Sequence, residues 1–365
     1  MTAKKIPFAR FDKLLFFTPI LIFVLGILSI YSASFKAHQA LDNTPAMRQM
    51  MWMGVGILTV FLIVRWDYFK LADLAWPLYF FSLFLLVLVL FMPPRLGARR
   101  WVEMGGFNFQ PSEIAKLGVI FVLARFFSSN RPEYLSKNKM FLPFLIVGLP
   151  FLLILKEPDL GTGLILVPVF FAMLYLWGLR TRSLLFLMGI CLILSPAFFM
   201  LLKDYQRSRL LVFINPNLDP LGAGYTIIQS KIAIGSGGLW GKGFMGGTQN
   251  QLKFLPERHT DFIFAVIGEE GGFVVCLLIV VLFWTIVRRG FQICGQTPDK
   301  FGSQLACGIS TMLGLQAAIN LGMTMGLLPV VGVPLPLVSY GGTSVVLTML
   351  AIGLLINIKM HRTLF

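Results

Sequence analysis

The feature that most constrains this chain is a succession of apolar runs, each about as long as a bilayer is thick. A membrane span takes roughly 17–25 mainly apolar residues. Ten stretches answer to that description: 14–34, 47–64, 74–92, 112–127, 141–155, 164–179, 184–202, 263–287, 303–327 and 343–358. The runs are continuous rather than alternating, so they suit helices and not the strands of a barrel. Of the 365 residues, 57% are hydrophobic and 13% charged, against about 45–50% and about 25% in a soluble domain. Such a chain cannot cover a water-facing surface, but in lipid it does not need to. The expected fold is all-α: one polytopic helix bundle over 1–365, with a long loop, 203–262, between spans seven and eight. Prolines inside spans (Pro19, Pro77, Pro150, Pro168, Pro196) are tolerated where neighbouring groups satisfy the freed backbone.

The net charge of +15 raises the question of nucleic acid. The basic residues, however, punctuate the apolar runs instead of gathering on a soluble domain, so nucleic-acid binding is excluded. Ten spans place both termini on one side. The segments of that side, from Lys4 through Arg65, Lys137, Arg182 and Arg288 to Arg362, hold 17 of the 31 Lys and Arg residues, spread through every short loop. This bias marks the side as cytoplasmic. The other basic residues crowd into 95–116, Lys156 and 203–262, where a positive-inside rule gives them no reason to be. Either they grip an anionic ligand or they anchor to lipid phosphates. The basic start leads into an apolar run too long for a signal peptide, so it reads as a retained span. The four cysteines lie in apolar runs or an inner loop and read as packing residues.

Three charged clusters fall on the non-cytoplasmic side. In the first, Arg99 and Arg100 precede Gln110-Pro111-Ser112-Glu113-Ile114-Ala115-Lys116. Pro111 opens a helix there, and Glu113 and Lys116 share one of its faces. They are either a capping carboxylate with an ion pair or a functional pair at the membrane edge. The second cluster, Lys156-Glu157-Pro158-Asp159, reads from spacing alone as a solvated turn. The third fills the long loop: Arg207 and Arg209, then Lys231, two glycine runs between Gly235 and Gly247, and Leu255-Pro256-Glu257-Arg258-His259-Thr260-Asp261-Phe262. Glycines can bring backbone N–H groups close to a phosphate, yet no strand–turn–helix unit surrounds these. Asp261 stands where the loop enters the membrane. Its residue type fits an N-cap, and its setting also fits a base with a raised pKa. A zinc site lacks ligands, whereas a hard cation such as Mg²⁺ or Mn²⁺ needs only one or two carboxylates, with Asp261 the candidate ligand. Glu269 and Glu270, some two turns deeper, require polar partners. The uncharged stretch Pro329 to Thr343, which includes Ser339, reads as a broken segment lining a cavity.

Taken together, Gly97 to Trp101, Gln110 to Lys116, Glu157 to Thr162, Leu255 to Phe262 and Pro336 to Gly342 resemble one family closely. It is the SEDS family (shape, elongation, division and sporulation), and 255–265 is more similar to its RodA-type members than to the FtsW division type. The resemblance covers essentially the whole chain. It implies a peptidoglycan glycosyltransferase of the bacterial cytoplasmic membrane that polymerises lipid II, with its site on the outer face and both termini cytoplasmic. It also implies partnership with a class B penicillin-binding protein and with other membrane proteins of an elongation complex. The family's proposed catalytic aspartate maps to Asp261. Substrate-binding roles are expected at Arg99, Arg100, Glu113, Lys116, Lys156, Glu157, Asp159, Arg207, Lys231, His259 and Ser339. Lys253 stands where many relatives have an acidic residue. Two rival functions stay open on these residues: a lipid II flippase, and a non-catalytic scaffold for a transpeptidase.

Overall fold

The computed structural model describes residues 11–34, 44–93, 99–104, 107–130, 132, 141–219, 222–252 and 254–361. Lys253, most of the first predicted outer loop and most of the 131–139 loop lie outside them. The described chain is helical, apart from one short hairpin that its sequence did not announce. The helices are α1 (Lys13–Ser34), α2 (Pro45–Arg65), α3 (Tyr68–Asp73), α4 (Ala75–Val89), α5 (Pro111–Ser129), α6 (Leu142–Lys156), α7 (Leu160–Trp177) and α8 (Thr181–Leu201). They continue with α9 (Asp204–Ile214), α10 (Ala223–Ser236), α11 (Thr248–Gln251), α12 (Ile263–Gln296), α13 (Lys300–Thr324) and α14 (Gly342–His361). The hairpin pairs β1 (Val102–Met104) with β2 (Phe107–Phe109), antiparallel, with Val102 opposite Phe109.

Among the described residues, α1, α2, α7, α8, α12, α13 and α14 are long and apolar enough to cross a membrane, and α4 and α6 are shorter apolar helices. Helix α5 is buried on nearly every side from Pro111 to Phe127. A helix apolar all round belongs inside a bundle, and α5 packs against α4, α6, α7 and α13. Helix α8 is its opposite. Leu192 and Ile193 are 74% and 77% exposed, and among the described residues α8 leans on the bundle lightly, through α7 and a ring contact from Phe198 to Phe151 of α6. Its surface is apolar because its surroundings are lipid. Cys191 lies on this helix and is exposed, so it is not a core residue, whereas the other three cysteines are buried.

Capping residues set several helix starts. The Thr44 side chain accepts from Met47 N, with Pro45 in the first turn of α2. The Asp299 side chain accepts from Gly302 N at the start of α13. Asp12 and Lys359 form an ion pair at 2.6 Å, Tyr68 O–H donates to Asp299, and Asn357 donates to Trp66 O at 2.7 Å. These contacts gather the start of α1, the ends of α2 and α14 and the start of α13 at one end of the bundle. The opposite end carries the β-hairpin, the α6–α7 turn, α9 to α11 and the 325–341 segment.

One expectation is refined and one corrected here. First, the long connecting segment 203–262 carries three helices, α9, α10 and the short α11, joined by turns. On α10, Gly224, Ile227, Ser230 and Ala233 are buried at three-residue spacing; Gly224 packs on the 216–219 turn, and the helix packs against α12 and α13. Second, α12 is 34 residues long, about 51 Å at 1.5 Å per residue, well beyond a hydrocarbon core of about 30 Å. It breaks at Gly272, whose φ of 67° is non-helical. The membrane piece lies beyond the break, and 263–271 is a buried helical stub at the end away from the termini. Glu270 accepts a hydrogen bond from Ser32 at the last turn of α1. The two glutamates therefore lie level with the end of a span, not at mid-depth.

Candidate active site

At the end opposite the termini, a cavity of about 560 Å³ opens between the hairpin, α9, the 257–262 turn and the 332–344 segment; Arg100, Tyr205, Arg209, Glu257, Asp261 and Tyr340 are in its wall. They come from four separate stretches of sequence, so the fold, not local order, assembles the wall. A second cavity of about 410 Å³, between α6, α7 and α8 near the termini, is lined mainly by apolar residues such as Phe144, Leu174 and Phe186. It contains no carboxylate.

Asp261 is half-buried in the cavity wall. It does not cap α12: the N-cap position is Phe262, and no side-chain cap bond is made there. The turn that carries it is held from three directions. Ser339 Oγ donates to Thr260 O at 2.6 Å, Tyr340 N donates to His259 O at 2.9 Å, and Asn320 Nδ2 donates to Asp261 O at 3.0 Å. Among the described residues, the carboxyl is thus placed without its own oxygens being consumed. Burial pushes its pKa up to about 6, with Glu257 and Asp159 adding to the rise and Arg209 and Arg100 opposing it.

The arginines meet the carboxylate at Gly332, a backbone position with φ of 72°. A Cβ there would stand 3.5 Å from Asp261 Oδ2 and 3.9 Å from an Nη1 of both Arg100 and Arg209. The left-handed φ suits glycine, and its missing side chain leaves the space between the three groups open. Arg100 also donates to Pro158 O. Arg209 donates to Val330 O at 3.4 Å and lies over the Tyr205 ring at 5.8 Å. Tyr205 O–H donates to Pro158 O at 2.8 Å. Both guanidinium groups are steered by carbonyls and retain N–H groups for an anion.

Several predicted residues fall elsewhere. Arg99 donates to Leu90 O, and Arg207 donates to Phe199 O and Met200 O beneath α9. Lys156 is exposed at the end of α6, and the stem of Lys231 lies against Gly326. None of these four is in the cavity wall. Ser339 and His259 hold the Asp261 turn rather than line the cavity. The His259 ring packs edge-on to Tyr340, and burial lowers its pKa. Arg209, which faces the carboxylate, is the residue that the sequence did not single out above Arg207.

The turn of Glu157 and Asp159 is not solvated, for both side chains are buried. Asp159 accepts from Thr162 N at the start of α7 and from Gln110 Nε2 at 3.0 Å, tying α5 to α7. Neither carboxyl oxygen of Glu157 has a hydrogen-bond partner among the described residues. Burial, reinforced by Asp159, pushes its pKa up to about 9 against the pull of Arg100. Glu157 is therefore a neutral acid at pH 7. Glu113 and Lys116 form a buried ion pair at 2.6 Å in the first turns of α5, outside the cavity wall.

No group of three or more His, Cys, Asp or Glu side chains that could hold a metal ion occurs among the described residues. The cavity offers the carboxylates of Glu257 and Asp261. That donor set suits a hard divalent cation only where phosphate oxygens complete its shell.

The FtsW/RodA/SpoVE family, described as "Cell cycle protein", matches residues 12–364. The chain is 46% identical over 271 residues to peptidoglycan glycosyltransferase MrdB of Escherichia coli K12, covering 73% of this chain and 72% of that one. It is 39% identical to stage V sporulation protein E of Bacillus subtilis across 99% of both chains. A chain from the solved structure "Structural coordination of polymerization and crosslinking by a peptidoglycan synthase complex" superposes with a TM-score of 0.81 at 35% identity, covering 97% of this chain and 98% of that one. Rod shape determining protein RodA of Thermus thermophilus does so with a TM-score of 0.71 at 30% identity, with the same coverage. With a match along nearly its whole length, the chain belongs to the FtsW/RodA/SpoVE family.

Proposed function

We propose that this peptidoglycan glycosyltransferase polymerises lipid II into β-1,4 glycan strands during cell elongation, with Asp261 as general base. The observation that carries the reading is the convergence of one half-buried carboxyl and two guanidinium groups in one cavity wall. The 4-hydroxyl oxygen of the acceptor sugar attacks the anomeric carbon of the donor, and its proton passes to Asp261. The bond from that carbon to the diphosphate breaks, and the electron pair leaves with undecaprenyl diphosphate. Arg100 and Arg209 receive the leaving group's charge. Glu257, with Asp261 only if it serves as a ligand instead of as the base, would hold a divalent cation, which would supply further neutralisation of the leaving group's charge. Direct displacement at an α-linked donor gives the β linkage.

The side opposite the termini is the outer face in this reading, supported by the excess of basic residues on the termini side. Likeness to a chain from a polymerisation and crosslinking complex supports a class B penicillin-binding protein as partner. The exposed apolar surface of α12 (Phe273, Leu277, Trp284) supports that helix as its docking site, with the largely buried α13 beside it. The flippase reading loses support because Glu269 and Glu270 lie at the end of α1 and not at mid-depth.

The test is incubation of the purified chain with labelled lipid II in detergent, with and without the partner. Polymer that depends on Asp261 supports the reading, since detergent leaves nothing to transport. Polymer from the partner alone would favour a scaffold.

A further inference from the structure

The polar groups that this mechanism leaves unused gather at the break in α12. In an unbroken helix, Phe273 N–H and Val274 N–H would donate to the carbonyls of Glu269 and Glu270. Instead, a turn of the chain is inserted into the gap. Lys242 N and Gly243 N donate to Glu269 O and Glu270 O, each at 3.0 Å, while Phe273 N and Val274 N donate to Gly238 O at 2.9 Å and Leu239 O at 3.2 Å. The inserted turn thus satisfies all four backbone groups that the break releases. Side chains would forbid the approach: a Cβ on Gly272 would lie 2.2 Å from Gly241 N, and one on Gly241 would lie 2.1 Å from Glu270 O.

The carboxylates of the same two glutamates close on the segment that follows. Glu269 Oε1 accepts from Lys242 Nζ at 2.8 Å, Thr248 Oγ1 at 3.0 Å and Gln249 N at 3.0 Å, and its Oε2 accepts from Asn250 N at 3.2 Å. Glu270 Oε1 accepts from Ser32 Oγ at 2.6 Å and Asn250 Nδ2 at 2.9 Å, and its Oε2 accepts from Met245 N at 3.3 Å. Both side chains are buried. Asn250 O in turn accepts from Arg258, three residues before Asp261.

We propose that Glu269 and Glu270 are positioning residues for Asp261, locking the inserted turn and α11 so that the 263–271 stub and the 257–262 turn hold one orientation. The proposal rests on Asp261 being the base. Its physical basis is a near-balance. Broken and unbroken forms of α12 satisfy the same four groups of its own backbone, and the exposed turn's four groups can exchange their partners for water, so backbone hydrogen bonding does not by itself choose between them. Seven charge-assisted hydrogen bonds made only in the broken form do. Straightening α12 would swing the stub and carry Asp261 away from Arg100 and Arg209, which belong to other elements.

The experiment compares Glu270→Ala and Glu270→Gln in the full chain with its partner, by two readouts. Amide hydrogen exchange over 238–245 and 270–276 reports the inserted turn without turnover. Steady-state polymerisation of lipid II reports the site. Glu270→Ala is expected to speed exchange in both segments and to lower kcat roughly 10–100-fold, as a displaced catalytic group does, with KM changed less than about twofold. Glu270→Gln can still accept from Ser32 and Asn250 and should recover most of both. Adding Asn250→Ala to Glu270→Ala should cost little more, because both act through one chain of contacts. Faster exchange at unchanged kcat, lower kcat at unchanged exchange, or full additivity would each overturn the proposal. If Glu270→Ala does not accumulate, Asn250→Ala, which removes one of the donors to Glu270 Oε1, is judged by the same criteria. A wild-type chain that forms no polymer would instead overturn the reading of Asp261 itself, with the exchange data still reporting the lock.

Discussion

Asn320, buried in the last turns of α13, uses one amide nitrogen to hold two carbonyls, that of Asp261 at 3.0 Å and that of Val333 at 2.8 Å. A single side chain thereby links a transmembrane helix to the turn carrying the carboxylate and to the segment carrying Gly332. Asn320→Ala removes the donor from both carbonyls, at about 1–3 kcal/mol for each one left buried and unpaired. The expected outcome is a lower thermal midpoint in detergent and a fall in kcat that exceeds any rise in KM. A variant matching wild type in both measurements would show the link to be incidental.

Glu157 offers a test by pH. Its folded pKa of about 9 lies above the ordinary 4.5, so the folded chain keeps a proton that the unfolded chain has released. Its stabilising contribution is complete below about pH 4.5 and is lost as pH rises towards 9, by at most about 1.4 kcal/mol per pH unit. Glu157→Gln mimics the neutral acid. Its thermal midpoint should match wild type near pH 4.5 and exceed it at pH 8, with activity retained at pH 7. A loss of activity beyond about tenfold at pH 7 would show that a charged carboxylate is needed there.

Glu113 and Lys116 invite a third test. Removing one member of a buried pair typically costs about 3–5 kcal/mol, because its partner stays behind as an unpaired charge. Lys116→Met alone should therefore accumulate poorly. Glu113→Leu with Lys116→Met should regain most of the lost stability, as apolar replacement of a whole pair does. If the pair only anchors the start of α5, the double variant's activity per folded molecule should also return. Stability regained without activity would show that the charges themselves serve the reaction.

What the sequence disclosed depended on the range of the signal. The spans were legible because a bilayer demands long apolar runs, and the broken 329–343 segment was legible because it combines burial-prone residues with proline and glycine. The helices within 203–262 were not. Their apolar faces are short, and glycine and charge interrupt them. Nor could the chain order decide between Arg207 and Arg209. On a helix, two residues apart means about 200° of rotation, and which arginine faces the cavity depends on how α9 lies. The glycine runs of 235–247 left a plain turn and a phosphate contact both open, because both uses call for close backbone approach. Only the fold shows that the surface approached is the broken backbone of α12.

The assignment of Asp261 meets its sharpest test in Asp261→Asn. The N-cap alternative is set aside by the absence of a cap bond at the start of α12, so a change that preserves shape isolates the proton acceptor. The chemical step should slow by roughly 10²–10⁴-fold, the usual worth of a positioned base. In wild type the base must be ionised, so kcat should rise with pH through about 6, its raised pKa, and then level off. The asparagine variant should lack this limb. The variant should also be no less stable at pH 7. A carboxyl whose folded pKa exceeds its unfolded value loses stability as pH rises between the two, and asparagine carries no such charge. A ligand role for a divalent cation would behave otherwise, with the defect easing as Mg²⁺ is raised. Lipid II polymerisation measured across pH and Mg²⁺ separates these outcomes, and near-normal turnover by Asp261→Asn would remove Asp261 from the reaction.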